Sequence, residues 1–339
     1  MRIALDAMGG DHAPLELVAG AIGAAQRLPG IHIQLVGQPE LLQEALESVS
    51  LADQERLAIV PATQVIGNEE SPAMAVRRKK DSSIVVATRL LREGKADALV
   101  TAGSTGAFMA AGLLVLGRLP GVERPALAPI LPTANGQGVV VLDIGANMDA
   151  KPEHLLQYAI MGSIYAEQVL GRKAPRVGLL NVGVEPGKGN QLIKDTFPLM
   201  EQLPINFVGS VEARDLLLGD ADVVVTDGFV GNVLLKFMEG MAATMFALLR
   251  EEFSSSLQSK LGAGLLKPSL RRFKRKLDYS EHGGAPLLGV KQAMVKCHGS
   301  SRRLAIENGI LQAARFVEHD FVERISTAVE HSAIKEVLQ

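Results

Sequence analysis

Short apolar runs alternate with longer amphipathic stretches from the first residues onward. Residues 2–6 (RIALD), 31–36 (IHIQLV), 57–60 and 97–101 (DALVT) are compact apolar runs between polar or glycine-bearing segments, which predicts buried strands. Residues 14–28, 81–93 and 105–117 carry apolar positions at helical spacing. The second half keeps the rhythm, with strands at 138–143, 176–181, 205–209 and 222–226 and helices at 152–170 and 188–202. Strand–turn–helix repetition of this kind predicts an α/β fold: a Rossmann-like, open, mostly parallel sheet with flanking helices. No fixed-period repeat and no low-complexity linker divides the chain, so residues 1–339 are expected to form a single α/β unit around a central cleft.

A long helix begins near Phe229, where Leu234, Phe237, Met238, Met241, Met245, Leu248, Leu249 and Phe253 recur at three- and four-residue steps. It reads first as a core helix; the alternative is a protruding helix that pairs with a second subunit. Beyond it the chain is glycine-broken and apolar, then basic, with six basic and no acidic side chains between residues 265 and 276. Residues 229–280 are therefore expected to include a protruding apolar and basic segment. In it Leu266, Leu270 and Phe273 share a helical face, while Arg271, Arg272, Lys274, Arg275 and Lys276 offer charge to an anionic membrane or an acidic protein.

Composition narrows the function classes. The formal charge is −2, from 35 Lys and Arg against 37 Asp and Glu, so a chain-wide basic field for nucleic acid is missing. One cysteine, Cys297, permits neither an internal disulfide nor a thiolate metal cluster, and the seven histidines are scattered without an HExxH pattern. No metal site is expected. The N-terminal MRIALDAMGGDHAP lacks a long apolar stretch, and AFMAAGLLVLG at 107–117 is too short for a bilayer, so a cytoplasmic location is expected.

Chemistry concentrates in four glycine-rich turns, each after a predicted strand: Asp6–His12, Ala102–Gly106, Asp143–Asn147 and Asp227–Asn232. In an open parallel sheet the carboxyl ends of the strands line the ligand crevice, so four such turns predict a phosphate- or carboxylate-binding cleft. Gly103, Ser104, Thr105 and Gly106 combine close backbone approach, two hydroxyls and the start of a helix. Neither a Walker A loop nor a GxGxxG fingerprint is present. A fifth turn, Asn181–Asn190, places Lys188 and Gly189 at a predicted helix start, where a cation holds phosphate or steadies an oxyanion. His12, beside Asp11, is a candidate phosphate donor or proton shuttle.

These motifs resemble the bacterial phosphate acyltransferases of phospholipid synthesis, the fatty acyl-ACP:phosphate transacylases. The resemblance spans the chain and rests on ALDAMGGDHAP at 4–14, TAGSTGA at 101–107, LDIGAN at 142–147, NVGVEPGKGN at 181–190, TDGFVGN at 226–232 and KCHGSS at 296–301. It implies transfer of a long-chain acyl group from acyl carrier protein to inorganic phosphate. The acyl phosphate then feeds an acyl-phosphate-using glycerol-3-phosphate acyltransferase. It also implies a fold like that of the isocitrate and isopropylmalate dehydrogenases, a homodimer, and peripheral contact with the inner face of the cytoplasmic membrane. No cofactor is implied beyond the carrier's own phosphopantetheine. Placed on this chain, the resemblance assigns catalysis to Lys188, His12 and Asn232 and phosphate binding to Gly103, Ser104, Thr105, Gly106 and Gly189. Asp6, Gly9, Gly10, Asp11, Asn147, Asp227, Gly228 and His298 complete the expected cleft.

Overall fold

Strand β1 (Arg2–Asp6) alternates Ile3 and Leu5 toward one core with Ala4 toward another, so both its faces are buried. That explains its continuous apolar run, which is what a parallel strand between two helical layers requires. The computed structural model describes residues 1–47, 55–185, 187–277, 283–330 and 334–337. Within them the chain forms a mostly parallel α/β architecture of two sheets.

The first sheet has the order β3-β2-β1-β4-β12-β11-β5. Its strands are β2 (His32–Gly37), β3 (Leu57–Pro61), β4 (Ala98–Thr101), β5 (Ala126–Leu127), β11 (Ala285–Leu288) and β12 (Ala293–Lys296), together with β1. The second has the order β6-β7-β10-β8-β9, from β6 (Ile130–Leu131), β7 (Val139–Leu142), β8 (Arg176–Asn181), β9 (Asn206–Glu212) and β10 (Val223–Val225). Among the strands of the described residues, only the pairs β11–β12, β11–β5 and β6–β7 are antiparallel. The chain thus leaves the first sheet after β5, builds the second, and returns through β11 and β12.

Parallel pairing brings chemically loaded residues level with one another. Asp6, the last residue of β1, is opposite Thr101 at the end of β4, and Thr101 is opposite Lys296 at the end of β12. In the second sheet β7, β10 and β8 run in parallel, so the loops after Leu142, Val225 and Asn181 leave from one edge.

Helices α1 (Leu15–Arg27), α2 (Pro39–Leu46), α3 (Pro72–Arg78), α4 (Ser83–Arg92) and α5 (Thr105–Ala111) serve the first half. The helix predicted at 81–93 is α4, and α3 before it was not anticipated. They are separated by a turn in which the Ser82 hydroxyl donates to Lys79 O at 2.8 Å. The stretch 105–117, predicted as one helix, is divided: α5 passes into a π turn at Gly112–Leu116 that ends at Gly117, φ 94°. Helices α6 (Pro152–Val169) and α7 (Gln191–Met200) flank the second sheet, and α10 (Arg303–Glu318), α11 (Phe321–Glu330) and α12 (Ile334–Val337) close the chain.

Helix α8 (Gly228–Ser254) overturns the core-helix expectation, since only Gly228 and Gly231 of its residues are buried. Its spacing suits a core or an outer stripe equally, and burial decides between them. Leu234, Leu235 and Met238 pack on the protein, while Phe229, Val233, Phe237, Met241, Met245 and Leu248 form an exposed stripe. Helix α9 (Leu257–Leu277) lies against α8, with the rings of Phe246 and Phe273 6.2 Å apart and Leu270 in the groove between the helices. Leu266 and Arg272 are exposed. The side chains of Arg271, Lys274, Arg275 and Lys276, and residues 278–280 of the expected segment, lie outside the described residues.

Candidate active site

Glycine permits the contacts that bring the loops together. A Cβ on Gly9 would stand 2.6 Å from the amide nitrogen of Gly103, so the Asp6–His12 loop and the Thr101–Gly106 loop touch through backbone. Beneath them the Thr101 hydroxyl donates to Asp6 Oδ2 at 2.7 Å and accepts from the Gly103 amide at 2.9 Å. Burial raises the Asp6 carboxyl above its usual range, against the pull of the Thr101 and Met8 hydrogen bonds and the Lys296 charge. Asp11 donates its amide to Gly299 O at 2.8 Å, tying the first loop to the segment after β12. Gly10 takes φ 103° against Ala102 and Gly299, and His12 is half-buried beside it.

The second sheet has a matching clasp. Asp143, fully buried after β7, accepts from Leu127, Ala146 and Asn147 amides at 3.1, 3.1 and 2.6 Å. Burial nevertheless raises its carboxyl to about 6. The Asn147 side-chain amide is engaged by Pro125 O at 2.7 Å and the Tyr158 hydroxyl at 2.8 Å, so it braces this loop. Asp227 caps α8, accepting from the Phe229 and Val230 amides at 3.0 Å each. A Cβ on Gly231 would fall 1.9 Å from Asp143 O, so the first turn of α8 sits directly on the Asp143–Asn147 loop. Gly228 makes a similar close approach to Asn147 O and Asp143 Oδ2, both 2.6 Å from its Cβ position.

Between the two sets of carboxyl ends lies a cavity of about 330 Å³. Its lining combines the polar or glycine positions Thr105, Gly106, Gly145, Asn232, Lys236, Glu239, Lys296 and His298 with the apolar Leu127, Pro129, Ile130, Ile144 and Leu235. The size falls in the range of small-ligand sites, roughly 300–1,000 Å³. A shallower depression of about 480 Å³, lined by residues such as Asp97, Lys291 and Asp320, sits at the opposite, amino-terminal strand edge. Open parallel sheets bind ligands at the carboxyl edge, which favours the first.

Of the sequence-predicted residues, Thr105, Gly106, Asn232 and His298 line the cavity. Ser104 caps α5, accepting from the Ala107 amide at 3.4 Å, and Gly103 lies behind it. Asp6, Gly9, Gly10, Asp11, Asn147, Asp227 and Gly228 support the walls. Lys188 is exposed on the loop between β8 and α7, outside the cavity lining, with its side chain folded along Gly183. Gly189 takes φ 97° there, against Asn181 and Ile193.

Three charged lining residues escaped the sequence reading: Lys236, Glu239 and Lys296. Lys296 closes the apolar run AMVK, a charged residue at the carboxyl end of a parallel strand, and that signal is readable in hindsight. Its ammonium is buried and donates to Ala102 O at 3.4 Å and to Cys297 O. Burial lowers it to about 8, with the fields of Cys297 and Asp6 opposing. Lys236 and Glu239 are the only charges in α8 between Gly228 and Leu249, and they pair at 2.8 Å. Glu239 Oε1 also stands 3.7 Å from His298 Nε2. The Ser300 amide donates to His298 Nδ1 at 3.2 Å, which leaves the neutral ring's proton on Nε2, facing Glu239. Burial lowers the His298 imidazole and so favours that neutral form. Cys297 is buried with its thiol pushed up to about 12 by burial, hence unreactive.

Comparison with known proteins agrees with the motifs. The fatty acid synthesis protein family matches residues 1–324. The phosphate acyltransferase of Brevibacillus brevis is 54% identical over 336 residues, 99% of either chain. That of an Exiguobacterium species is 54% identical over 329 residues, 97% of this chain and 99% of the relative. That of Bacillus cereus is 52% identical over 335 residues, 99% and 100% of the two chains. Among solved structures, phosphotransacetylases of Streptococcus pyogenes and Staphylococcus aureus each superpose with a TM-score of 0.61. Their identities are 15% and 17%, and each match covers 94% of either chain. These two share the fold.

Proposed function

We infer, for a chain that belongs to the fatty acid synthesis protein family and is an enzyme transferring an acyl group to phosphate, that the transfer takes place in the cavity between the two sheets. The donor is a long-chain acyl thioester on the phosphopantetheine arm of acyl carrier protein, and the acceptor is inorganic phosphate. The observation that carries this reading is the mixed lining of the cavity. It holds Lys296, Lys236, Asn232, Thr105 and His298 together with Leu127, Pro129, Ile130, Ile144 and Leu235. Such a lining offers partners both to a dianion and to the first methylenes of an acyl chain.

Phosphate lies against the Gly103–Gly106 turn with the Thr105 hydroxyl, Asn232 and the Lys296 charge around it. The loops are held before substrate arrives, by Asp6–Thr101 on one side and Asp143–Asn147 on the other. Binding therefore needs little reorganisation. A phosphate oxygen attacks the carbonyl carbon, the tetrahedral oxyanion is steadied by fixed donors, and the thiolate leaves. Lys188, at the same strand edge and outside the cavity lining, leaves its place along Gly183 to hold the oxyanion or the incoming arm. His12 steadies phosphate from the neighbouring loop. Phosphate is itself the nucleophile, so an acyl-enzyme is unnecessary and the inert Cys297 is consistent with that route.

The exposed stripe of α8 is the surface for a second copy of the chain. Helix α8 is long and apolar enough, by length and composition, to cross a membrane. Its first turns nevertheless carry Asn232, Lys236 and Glu239 to the cavity, which suits a helix lying on the protein. The apolar and basic α9 supports peripheral contact with the anionic inner face of the cytoplasmic membrane or with the acidic carrier. There the acyl phosphate is handed to a glycerol-3-phosphate acyltransferase. The test compares palmitoyl-ACP and palmitoyl-CoA with phosphate, trapping acyl phosphate as hydroxamate. A clear preference for the carrier thioester is expected; preference for CoA would overturn the donor assignment.

A further inference from the structure

We propose that Lys296 is a catalytic residue of the transfer, carrying the proton that moves from the attacking phosphate to the departing thiol. The proposal rests on the acyl-transfer reading of the cavity. Its first support is position: Lys296 ends β12, level with Thr101, and lines the cavity beside Thr105, Asn232 and His298. Its second is charge. The ammonium is buried, it donates to the carbonyls of Ala102 and Cys297, and among the described residues no carboxylate stands within ion-pair distance. A buried cation without a counter-ion is costly, and an entering dianion supplies the missing charge. Two carbonyls leave the third N–H for the cavity.

The reaction itself requires a proton carrier. Hydrogen phosphate and a thioester give an acyl phosphate dianion and a free thiol. The new C–O bond forms from a phosphate oxygen, the C–S bond breaks with its electron pair on sulfur, and one proton passes from phosphate to sulfur. Alkyl thiols hold their proton with a pKa of about 8.5. The remaining ionisation of a substituted phosphate falls to about 6. A group titrating between those two values gives its proton to sulfur as C–S breaks and regains one from the phosphate's remaining hydroxyl once a different phosphate oxygen is acylated. Lys296, lowered to about 8, lies between them. Groups facing it are Asp6 from β1, Asp11 from the following loop, Lys236 and Glu239 from α8, and Cys297 and His298 beyond β12.

The test is the dependence on leaving group. Lys296→Arg keeps the charge and gives up no proton near neutrality; Lys296→Met loses both. Each is assayed with an acyl thioester of an alkyl thiol and one of an acidic aryl thiol, whose thiolate departs unprotonated. Lys296→Arg is expected to keep the KM for phosphate within about threefold and to lose about 100-fold in kcat on the alkyl thioester. On the aryl thioester its loss should be only several-fold. Lys296→Met should lose phosphate affinity and rate on both. The wild-type enzyme gives a check that needs no variant to fold. At saturating phosphate its kcat on the alkyl thioester should be full below about pH 8 and fall above it, whereas on the aryl thioester it should fall much less. Equal losses on both thioesters, or identical alkaline limbs, would overturn the role of Lys296. No transfer by the wild type from either thioester would overturn the acyl-transfer reading itself.

Discussion

Gly231→Ala probes the joint between the two halves of the site. A real Cβ essentially never stands closer than 3.0 Å to another heavy atom, yet at Gly231 it would lie 1.9 Å from Asp143 O. The first turn of α8 must therefore retreat by about 1 Å, or the Asp143–Asn147 loop must open. Overpacking of this kind costs about 1–3 kcal/mol. Asn232 is the next residue and lines the cavity, and a displacement of about 1 Å at a positioned group costs up to ~100-fold in rate. Gly240, two and a half turns along the same helix, has nothing within 4 Å of its Cβ position. There Gly→Ala should stabilise by about 0.5–1 kcal/mol through lower backbone entropy in the unfolded chain. Urea unfolding midpoints at unchanged slope, read beside initial rates of acyl phosphate formation, separate the two substitutions. A Gly231→Ala protein with wild-type midpoint and wild-type rate would refute the locked joint.

Lys188→Ala should lower kcat about 100-fold while moving the unfolding midpoint by no more than about 0.5 kcal/mol; unchanged turnover removes Lys188 from the chemistry. Asp143 titrates near 6 in the folded chain against 3.8 unperturbed, so the folded state holds a proton that the unfolded chain has released between those values. Stability should accordingly fall as pH rises from about 4 to about 6, by about 2–3 kcal/mol, and level off above 7. The stability difference between wild type and Asp143→Asn reads this directly, and a flat difference across that window contradicts the assignment. Replacing both Phe237 and Met241 with Glu on the exposed stripe of α8 should give a monomer by light scattering, with thermal stability of the protomer unchanged. A dimer that persists would remove α8 as the pairing surface.

Much of this was legible in the sequence because the relevant signals are local. RIALD and DVVVT announce buried parallel strands through unbroken aliphatic runs, and each glycine turn after a strand marks the carboxyl edge. Thr105, Gly106 and Asn232 were found that way, and His298 through the family resemblance of KCHGSS. Lys296 was missed because its importance comes from register: β12 is reached only after the chain has built the second sheet and returned beside β4. Lys236 and Glu239 were hidden by the apolar periodicity around them, which drew attention to the stripe of α8 and away from its cavity-facing side. Long helix 229 onward illustrates a degeneracy, since three- and four-residue spacing serves a core or an outer face alike. The brace formed by Asn147, Pro125 and Tyr158 depends on contacts across 11 and 22 positions, which no local pattern encodes.

The central claim is direct transfer of the acyl group to phosphate, and stoichiometry tests it most directly. Purified protein and palmitoyl-ACP are followed with and without phosphate, recording free carrier thiol and hydroxylamine-trapped acyl phosphate in the same samples. The account predicts one thiol released per acyl phosphate formed and no thiol burst when phosphate is left out. Thiol release equal to the enzyme concentration in the absence of phosphate would contradict it, because the acyl group would then have passed first to the protein.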